Sequence, residues 1–333
     1  MMHSFKELSS IFEEKFTKRH FPDEPKNLYD AAQHLLTIRG KRIRPVMCLM
    51  GNELFGEITN DAYHVAFAIE LFHNFTLVHD DIMDKATLRR GMDTVHQKYG
   101  EPTALLAGDV MLVAAYEFLN KVSGEFNRKV QSLFSLMARQ VCEGQQLDME
   151  FAQIESGPGE KVQSTIDVSF DDYVKMIGLK TSVLLGASLR AGALLGGAGL
   201  GNQDLLYEFG KNLGIAFQVQ DDYLDAFGDP EKFGKTPGGD ILANKKTFLL
   251  IHAMEAGTSS QVKELRQVMQ GNDKDKIQRV IQIYNECNVQ GWALQLKQKF
   301  MAAAMENLAD TAVISSRKNR LEELAYYLLD RDI

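Results

Sequence analysis

The chain has 333 residues, 45 % hydrophobic and 25 % charged, with a formal net charge of −8. That composition suits a folded globular protein with a sizeable core, and the acidic balance argues against nucleic acid or an anionic membrane as a partner for the bulk surface, so any basic site must be local. Cys48, Cys142 and Cys287 lack CxxC spacing and fit reduced thiols in a cytoplasmic compartment better than a disulfide framework. The amino terminus carries charges where a signal peptide would need its apolar core. The most apolar stretch, Val183 to Leu200, is interrupted by Arg190, Gly186, Gly192, Gly196, Gly197 and Gly199, a poor membrane span. No transmembrane segment is expected.

Leu, Met, Ala, Glu and Gln recur at helical spacing, prolines are few and strand signals nearly absent, so the pattern predicts helix after helix. In chain order the predicted helices cover 5–17, 27–38, 45–54, 61–84, 102–121, 126–153, 170–195, 203–226, 244–255, 260–270, 274–286, 289–308 and 315–329. Pro45 suits the first position of the third helix, placing Lys41 and Arg44 at an amino end that favours phosphate. Asp61 and Asn202 are the expected amino caps of the helices over 61–84 and 203–226. Residues 155–161, rich in Gly and Pro, read as a surface loop. No linker divides the chain, so the reading is an all-α, single-domain bundle over 1–333.

Two of these helices end in matching acidic clusters, Asp80-Asp81-Ile82-Met83-Asp84 and Asp221-Asp222-Tyr223-Leu224-Asp225. Positions i and i+4 lie about 40° apart around a helix and about 6 Å along it, so Asp80 and Asp84 share a face. Hard oxygen donors point to magnesium, which keeps several waters and takes one or two carboxylates plus substrate phosphates. The alternative is an acidic, solvated helix end, which the repetition of the pattern disfavours. Basic residues flank both clusters: Lys41 and Arg44 in Gly40-Lys41-Arg42-Ile43-Arg44-Pro45, Arg89 and Arg90 before Gly91, and Lys235 and Lys245 around Gly238-Gly239-Asp240. Guanidinium binds phosphate oxygens bidentately, so cations and magnesium together suit pyrophosphate groups.

These motifs, in order GKRIRP (40–45), His73, HDDIMD (79–84), RRG (89–91), GDVML (108–112), EGQQLD (143–148), Lys180-Thr181, FQVQDDYLD (217–225) and the GK/GGD loop, make the chain resemble the trans-type isoprenyl diphosphate synthases, the polyprenyl synthetase family. The resemblance implies roughly ten core helices around a deep central cavity, a homodimer, and condensation of isopentenyl diphosphate with an allylic diphosphate (dimethylallyl, geranyl or farnesyl). It also implies three magnesium ions, held by Asp80, Asp84 and Asp221 with Asp81, Asp222 and Asp225 in support. Arg89, Lys180, Lys235 and Lys245 would add charge around the allylic diphosphate, and Thr181 and Gln218 would direct dipoles at a carbocation. Lys41, Arg44, His73 and Arg90 match the isopentenyl diphosphate site, and Asp148 would orient Lys180. His79 reads as a satisfied core histidine.

Product length depends on the depth of the apolar cavity beneath the first aspartates. Phe75 with the small Thr76 resembles the pattern of twenty-carbon, geranylgeranyl synthases, with farnesyl or longer products as alternatives and with Phe72, Met111 and Tyr116 as other candidates for the floor. A terpene cyclase would lack GKRIRP, a non-catalytic partner subunit would have lost aspartates, and an acidic scaffold would not explain Arg89, Lys180 and Lys235.

Overall fold

The computed structural model describes residues 2–38, 40–152, 168–229, 237–271 and 274–329. Helices carry almost all of it: α1 (Phe5–Phe16), α2 (Lys26–Thr37), α3 (Ile43–Glu53), α4 (Asn60–Met83), α5 (Val95–Tyr99), α6 (Glu101–Leu119) and α7 (Gly124–Ala152). After α8 (Phe170–Ile177) comes one π-helical turn (Gly178–Ser182), then α9 (Val183–Leu195), α10 (Leu200–Phe227), α11 (Gly239–Leu242) and α12 (Phe248–Ala256). The series closes with α13 (Ser259–Gln270), α14 (Lys276–Glu286), α15 (Val289–Asp310) and α16 (Ser315–Leu329). Among the described residues the strands are a single two-residue hairpin, β1 (Leu88–Arg89) antiparallel to β2 (Met92–Asp93).

The chain packs as two compact units. The first comprises Met1–Ala138, Ala187–Tyr207 and Thr311–Leu321; the second comprises Arg139–Gly186, Glu208–Asp310 and Glu322–Ile333. In the first, α4 packs on α3 and α6, and α1 on α3. Val65, Ala66, Ile69, Phe72 and Val78 of α4 are buried there at helical spacing. In the second, α12 packs against α8, α13, α14 and α15. Its core includes Tyr173, Phe248, Leu265, Val280, Tyr284 and Val289.

The predicted helices appear in order, but the short α5 and α11 and the β1–β2 hairpin were not expected, and several local expectations are corrected. The third helix starts at Ile43, so Pro45 sits third, still within the first turn whose N–H groups have no intrahelical partner. Thr59 caps α4, accepting from the Ala62 N–H, because a threonine one residue outside the helix reaches that donor. Asp61 instead accepts from the Ser123 N–H at 3.1 Å. Asn202 lies inside α10 and accepts from the Ala312 N–H at 2.8 Å. The helix expected over 170–195 is interrupted by the π turn, and the one expected from 244 starts at Phe248, because Asn244 adopts a left-handed φ of 56°. The loop read at 155–161 lies outside the described residues. By length and composition, one described helix could cross a membrane, and it is α6, not Val183 to Leu200.

Candidate active site

The first unit brings together the acidic end of α4, the hairpin and the start of α3. The hairpin loop is Arg90-Gly91, with φ of 53° and 79°, the positive pair that a two-residue type I′ turn requires. Glycine suits the second position; Arg90 is held in the first. A Cβ added at Gly40 would run into the Arg90 guanidinium, so the GKRIRP turn and the RRG hairpin meet because position 40 has no side chain.

Within the first cluster the carboxylates separate by burial. Asp81 is buried and accepts two hydrogen bonds from Arg89, from Nε at 2.8 Å and Nη2 at 2.7 Å. Half-buried Asp80 is 3.7 Å from the same guanidinium, while Asp84, capping the carboxyl end of α4, is exposed. The pair Asp81–Arg89 is therefore a bidentate ion pair that fixes the hairpin. Burial works against the charge on Arg89, but Asp81, Asp80 and Asp84 together raise its pKa.

Beside it lies a basic cluster. Arg44 Nη1 is 3.2 Å from His73 Nε2. A guanidinium only donates, so this nitrogen accepts and the histidine proton sits on Nδ1. His73 thus orients Arg44 and can donate to an anion only through its other nitrogen. Burial first, then Arg44, Arg90, Arg89 and Arg42, holds the imidazole well below its ordinary pKa, so His73 is neutral. Burial also lowers Arg44 to about 10, with Glu70 opposing and Arg90 adding to the fall. Arg44 Nε is buried with no hydrogen-bond partner. Crowded cations with an unspent donor are what a polyanion neutralises. Lys41 is exposed at the same turn.

Arg42, in a left-handed conformation (φ 50°), points away from this cluster into the core, bonded to Glu13 at 2.6 Å, to Glu70 and to the Leu36 carbonyl at 3.1 Å. No local pattern signals that one of these three neighbouring cations is buried.

The second unit holds a cavity of about 200 Å³ lined by Asp148, Lys180, Thr181, Gln218, Asp222, Asp240, Lys245 and Lys246 among others. Lys180 and Thr181 lie on the π turn, the type of helical irregularity that often re-aims functional side chains. A Cβ at Gly144 would strike the Lys180 backbone, so this glycine lets α7 approach the turn closely. From α7, Asp148 Oδ2 reaches Lys180 Nζ at 2.5 Å, the pairing expected from the motifs.

Asp222 repeats the behaviour of Asp81. It is buried, accepting from the Tyr173 hydroxyl at 2.6 Å and from Gln218 Nε2 at 2.7 Å. Burial pushes its carboxyl up to about 7, Asp240 adding to the rise while both hydrogen bonds and Lys245 restrain it. Burial and the neighbouring Asp222 hold the Tyr173 phenol well above its ordinary value, so it remains a donor. Asp225 accepts from the Asp240 N–H at 2.9 Å, and Asp240 pairs with Lys245 at 3.0 Å. Asp221 is half-buried. Lys235 lies outside the described residues.

Among the described residues no three His, Cys, Asp or Glu side chains group as a ready metal centre. In each unit taken by itself, the oxygen donors, Asp80 and Asp84 in the first and Asp221 in the second, fit magnesium completed by water and phosphate oxygens, not a closed all-protein cage. Tyr173 and Lys246, which line the cavity, were missed as site residues. No local signal separates Tyr173 from a core tyrosine, whereas Lys246 stood beside Lys245.

Near the first cluster, Phe75 is half-buried, its ring 4.7 Å from His79 and 5.6 Å from Phe72. Behind it, Phe72 meets Phe134 edge-on at 5.4 Å, and Phe134 meets Tyr116 likewise at 5.4 Å. Met111 is fully buried. The Thr76 hydroxyl donates to the His73 carbonyl at 2.7 Å. His79 Nε2 is 3.1 Å from the Leu105 carbonyl.

All-helical architecture with two aspartate clusters, each attended by cations, defines a class of enzyme that handles diphosphates. The chain belongs to the polyprenyl synthetase family, whose sequence pattern matches residues 25–287, and is a prenyltransferase. It is 38 % identical over 331 residues to a geranylgeranyl pyrophosphate synthase of Geoglobus acetivorans, spanning 98 % of both chains. It is 36 % identical over 326 residues to a geranylgeranyl diphosphate synthase of Saccharolobus solfataricus, spanning 95 % of this chain and 92 % of that one. The crystal structure of geranylgeranyl pyrophosphate synthetase from Pyrococcus horikoshii superposes with a TM-score of 0.88 at 31 % identity, covering 98 % of each chain.

Proposed function

We propose that this protein condenses isopentenyl diphosphate with an allylic diphosphate (dimethylallyl, geranyl or farnesyl), giving all-trans geranylgeranyl diphosphate and pyrophosphate, with magnesium as the required metal. The observation that carries this reading is the shared burial pattern of the two acidic clusters. In each, the second aspartate is spent inside the protein, Asp81 on Arg89 and Asp222 on Tyr173 and Gln218. Asp80, Asp84 and Asp221 remain as the more accessible carboxylates. These three would hold the ions, three by resemblance, and bound magnesium would supply positive charge to the leaving pyrophosphate, which matters most as the carbon–oxygen bond breaks.

The chain's own groups account for the rest. Arg89, Lys180, Lys245 and Lys235 add charge for the allylic diphosphate, Asp148 holding Lys180 in place. Arg44 with its orphan Nε, Lys41, Arg90 and neutral His73 suit the metal-free diphosphate of the second substrate. Thr181 and Gln218 line the cavity as dipoles for the cation. Asp225 secures Asp240 and so the turn that carries Lys245. We take 1–333 as one catalytic domain, since the family match spans both units and most of their divisions fall inside helices. A homodimer and a cytoplasmic location are part of this reading; Leu105, Leu106 and Val113 of α6 and Leu136 of α7 are exposed apolar residues suited to a second copy.

The test is a product assay with isopentenyl diphosphate and farnesyl diphosphate, with and without magnesium. Magnesium-dependent formation of a twenty-carbon product is expected, and no prenyl product under either condition would overturn the proposal.

A further inference from the structure

Tyr173 belongs to no motif of the sequence, yet its hydroxyl reaches the second acidic cluster. It is 6 % exposed, sits one turn before the π turn that carries Lys180 and Thr181, and donates to Asp222 Oδ2 at 2.6 Å. The other oxygen, Asp222 Oδ1, accepts from Gln218 Nε2 at 2.7 Å. Both partners donate, and in its ionised form the carboxylate between them can only accept. That fixes the Gln218 amide, which would otherwise be free to exchange its two ends. With one Nε2 hydrogen committed to Asp222, the amide that lines the cavity is held in one orientation, its carbonyl oxygen at the end opposite that bond. An amide presenting oxygen attracts a cation; presenting NH₂, it would repel one.

We propose that Tyr173 is a positioning residue which, through Asp222, holds the Gln218 amide with its oxygen toward the allylic cation. The inference rests on the reaction proposed above. A fixed dipole needs no reorganisation when charge develops, whereas an amide free to rotate must be ordered at that moment.

The experiment is a double-variant cycle on Tyr173→Phe and Gln218→Leu. Tyr173→Phe removes one oxygen and keeps the ring in the core. The expected result is a kcat about tenfold lower, with KM for both diphosphates within about twofold, because the lost interaction is made only with the cation. The double variant should be no slower than Gln218→Leu alone, since residues acting as one unit are not additive. Additive losses, a wild-type kcat in Tyr173→Phe, or a wild-type kcat in Gln218→Leu each overturn the relay. A binding measurement separates this from the reaction itself. A prenyl trialkylammonium probe, titrated calorimetrically with magnesium pyrophosphate present, should bind Tyr173→Phe about tenfold more weakly than wild type, while pyrophosphate alone binds both equally. That selective loss would support the relay even in a protein without turnover, whereas equal probe affinity would overturn it.

Discussion

The ammonium of Lys276, at the start of α14, lies 2.6 Å from Asn244 Oδ1, and it also donates to the Met269 carbonyl at 3.0 Å and the Gly271 carbonyl at 3.1 Å. The residue is 1 % exposed. One buried cation thus closes the carboxyl end of α13 and holds Asn244 in the left-handed turn immediately before Lys245. Lys276→Met keeps the stem and removes the donors, leaving three acceptors unsatisfied at a cost of about 2 to 4 kcal/mol. The expected outcome is a lower melting temperature together with a raised KM for the allylic diphosphate. A variant with unchanged melting temperature and KM would show that the turn holds without it.

The two adjacent aspartates of the first cluster should fail differently. Asp80→Ala is expected to lower kcat by several orders of magnitude with a smaller change in thermal stability, because Asp80 is half-buried and lies 3.7 Å from the Arg89 guanidinium, beyond the bidentate contact that Asp81 makes. Asp81→Ala leaves Arg89 without its bidentate partner, and should lose activity and also about 3 kcal/mol or more of stability. Unfolding curves of both variants beside their kinetics check the contrast; equal melting temperatures would place Asp81 outside the structural pair.

Acid should weaken the fold through two histidines. Burial holds His73 well below its ordinary 6.5, with Arg44 next, and burial likewise lowers His20. For a base with a depressed folded pKa, the unfolded chain binds the extra proton first. Stability is therefore intact above 6.5 and declines as pH falls below it, by up to about 1.4 kcal/mol per pH unit for each histidine. Urea midpoints compared at about pH 7.5 and about pH 5.5 should show the loss, and His20→Phe should make the dependence shallower. An identical pH dependence in that variant would exclude His20.

For product length, Phe75→Ala should open space as far as the Phe72–Phe134 pair, lengthening the product by one or more five-carbon units. Thr76→Phe should fill it and shorten the product toward fifteen carbons. Chromatography of dephosphorylated products decides between them. An unchanged distribution in both variants would move the floor to Phe72, Met111 or Tyr116.

Assembly is checked by light scattering, where twice the 37.4 kDa chain mass is expected at micromolar concentration. Leu106→Glu with Val113→Glu, charging two exposed positions that are 58 % and 56 % accessible, should yield a folded monomer. A wild-type monomer under those conditions would reject the dimer.

Helical periodicity alone located nearly every helix, because a residue's burial there depends on its spacing from its neighbours, which the sequence contains. The aspartate clusters and flanking cations were legible for the same reason: i to i+4 geometry is local. What local pattern did not contain was which neighbour turns inward. Of Lys41, Arg42 and Arg44, only the fold sends Arg42 to Glu70; of Asp80 and Asp81, only the fold buries the second under Arg89. The close approach of α7 to the π turn that carries Lys180 depends on Gly144, far earlier in the chain, and the partners of Lys276 include Met269 of α13 and Asn244. Such choices follow from desolvation: a charge that packing takes out of water must find a partner from whatever element is beside it. That element is known only once the chain has folded. Sequence thus determined the helices and the charged groups they carry, while tertiary structure decided which of those carboxylates and cations are buried to hold the protein together.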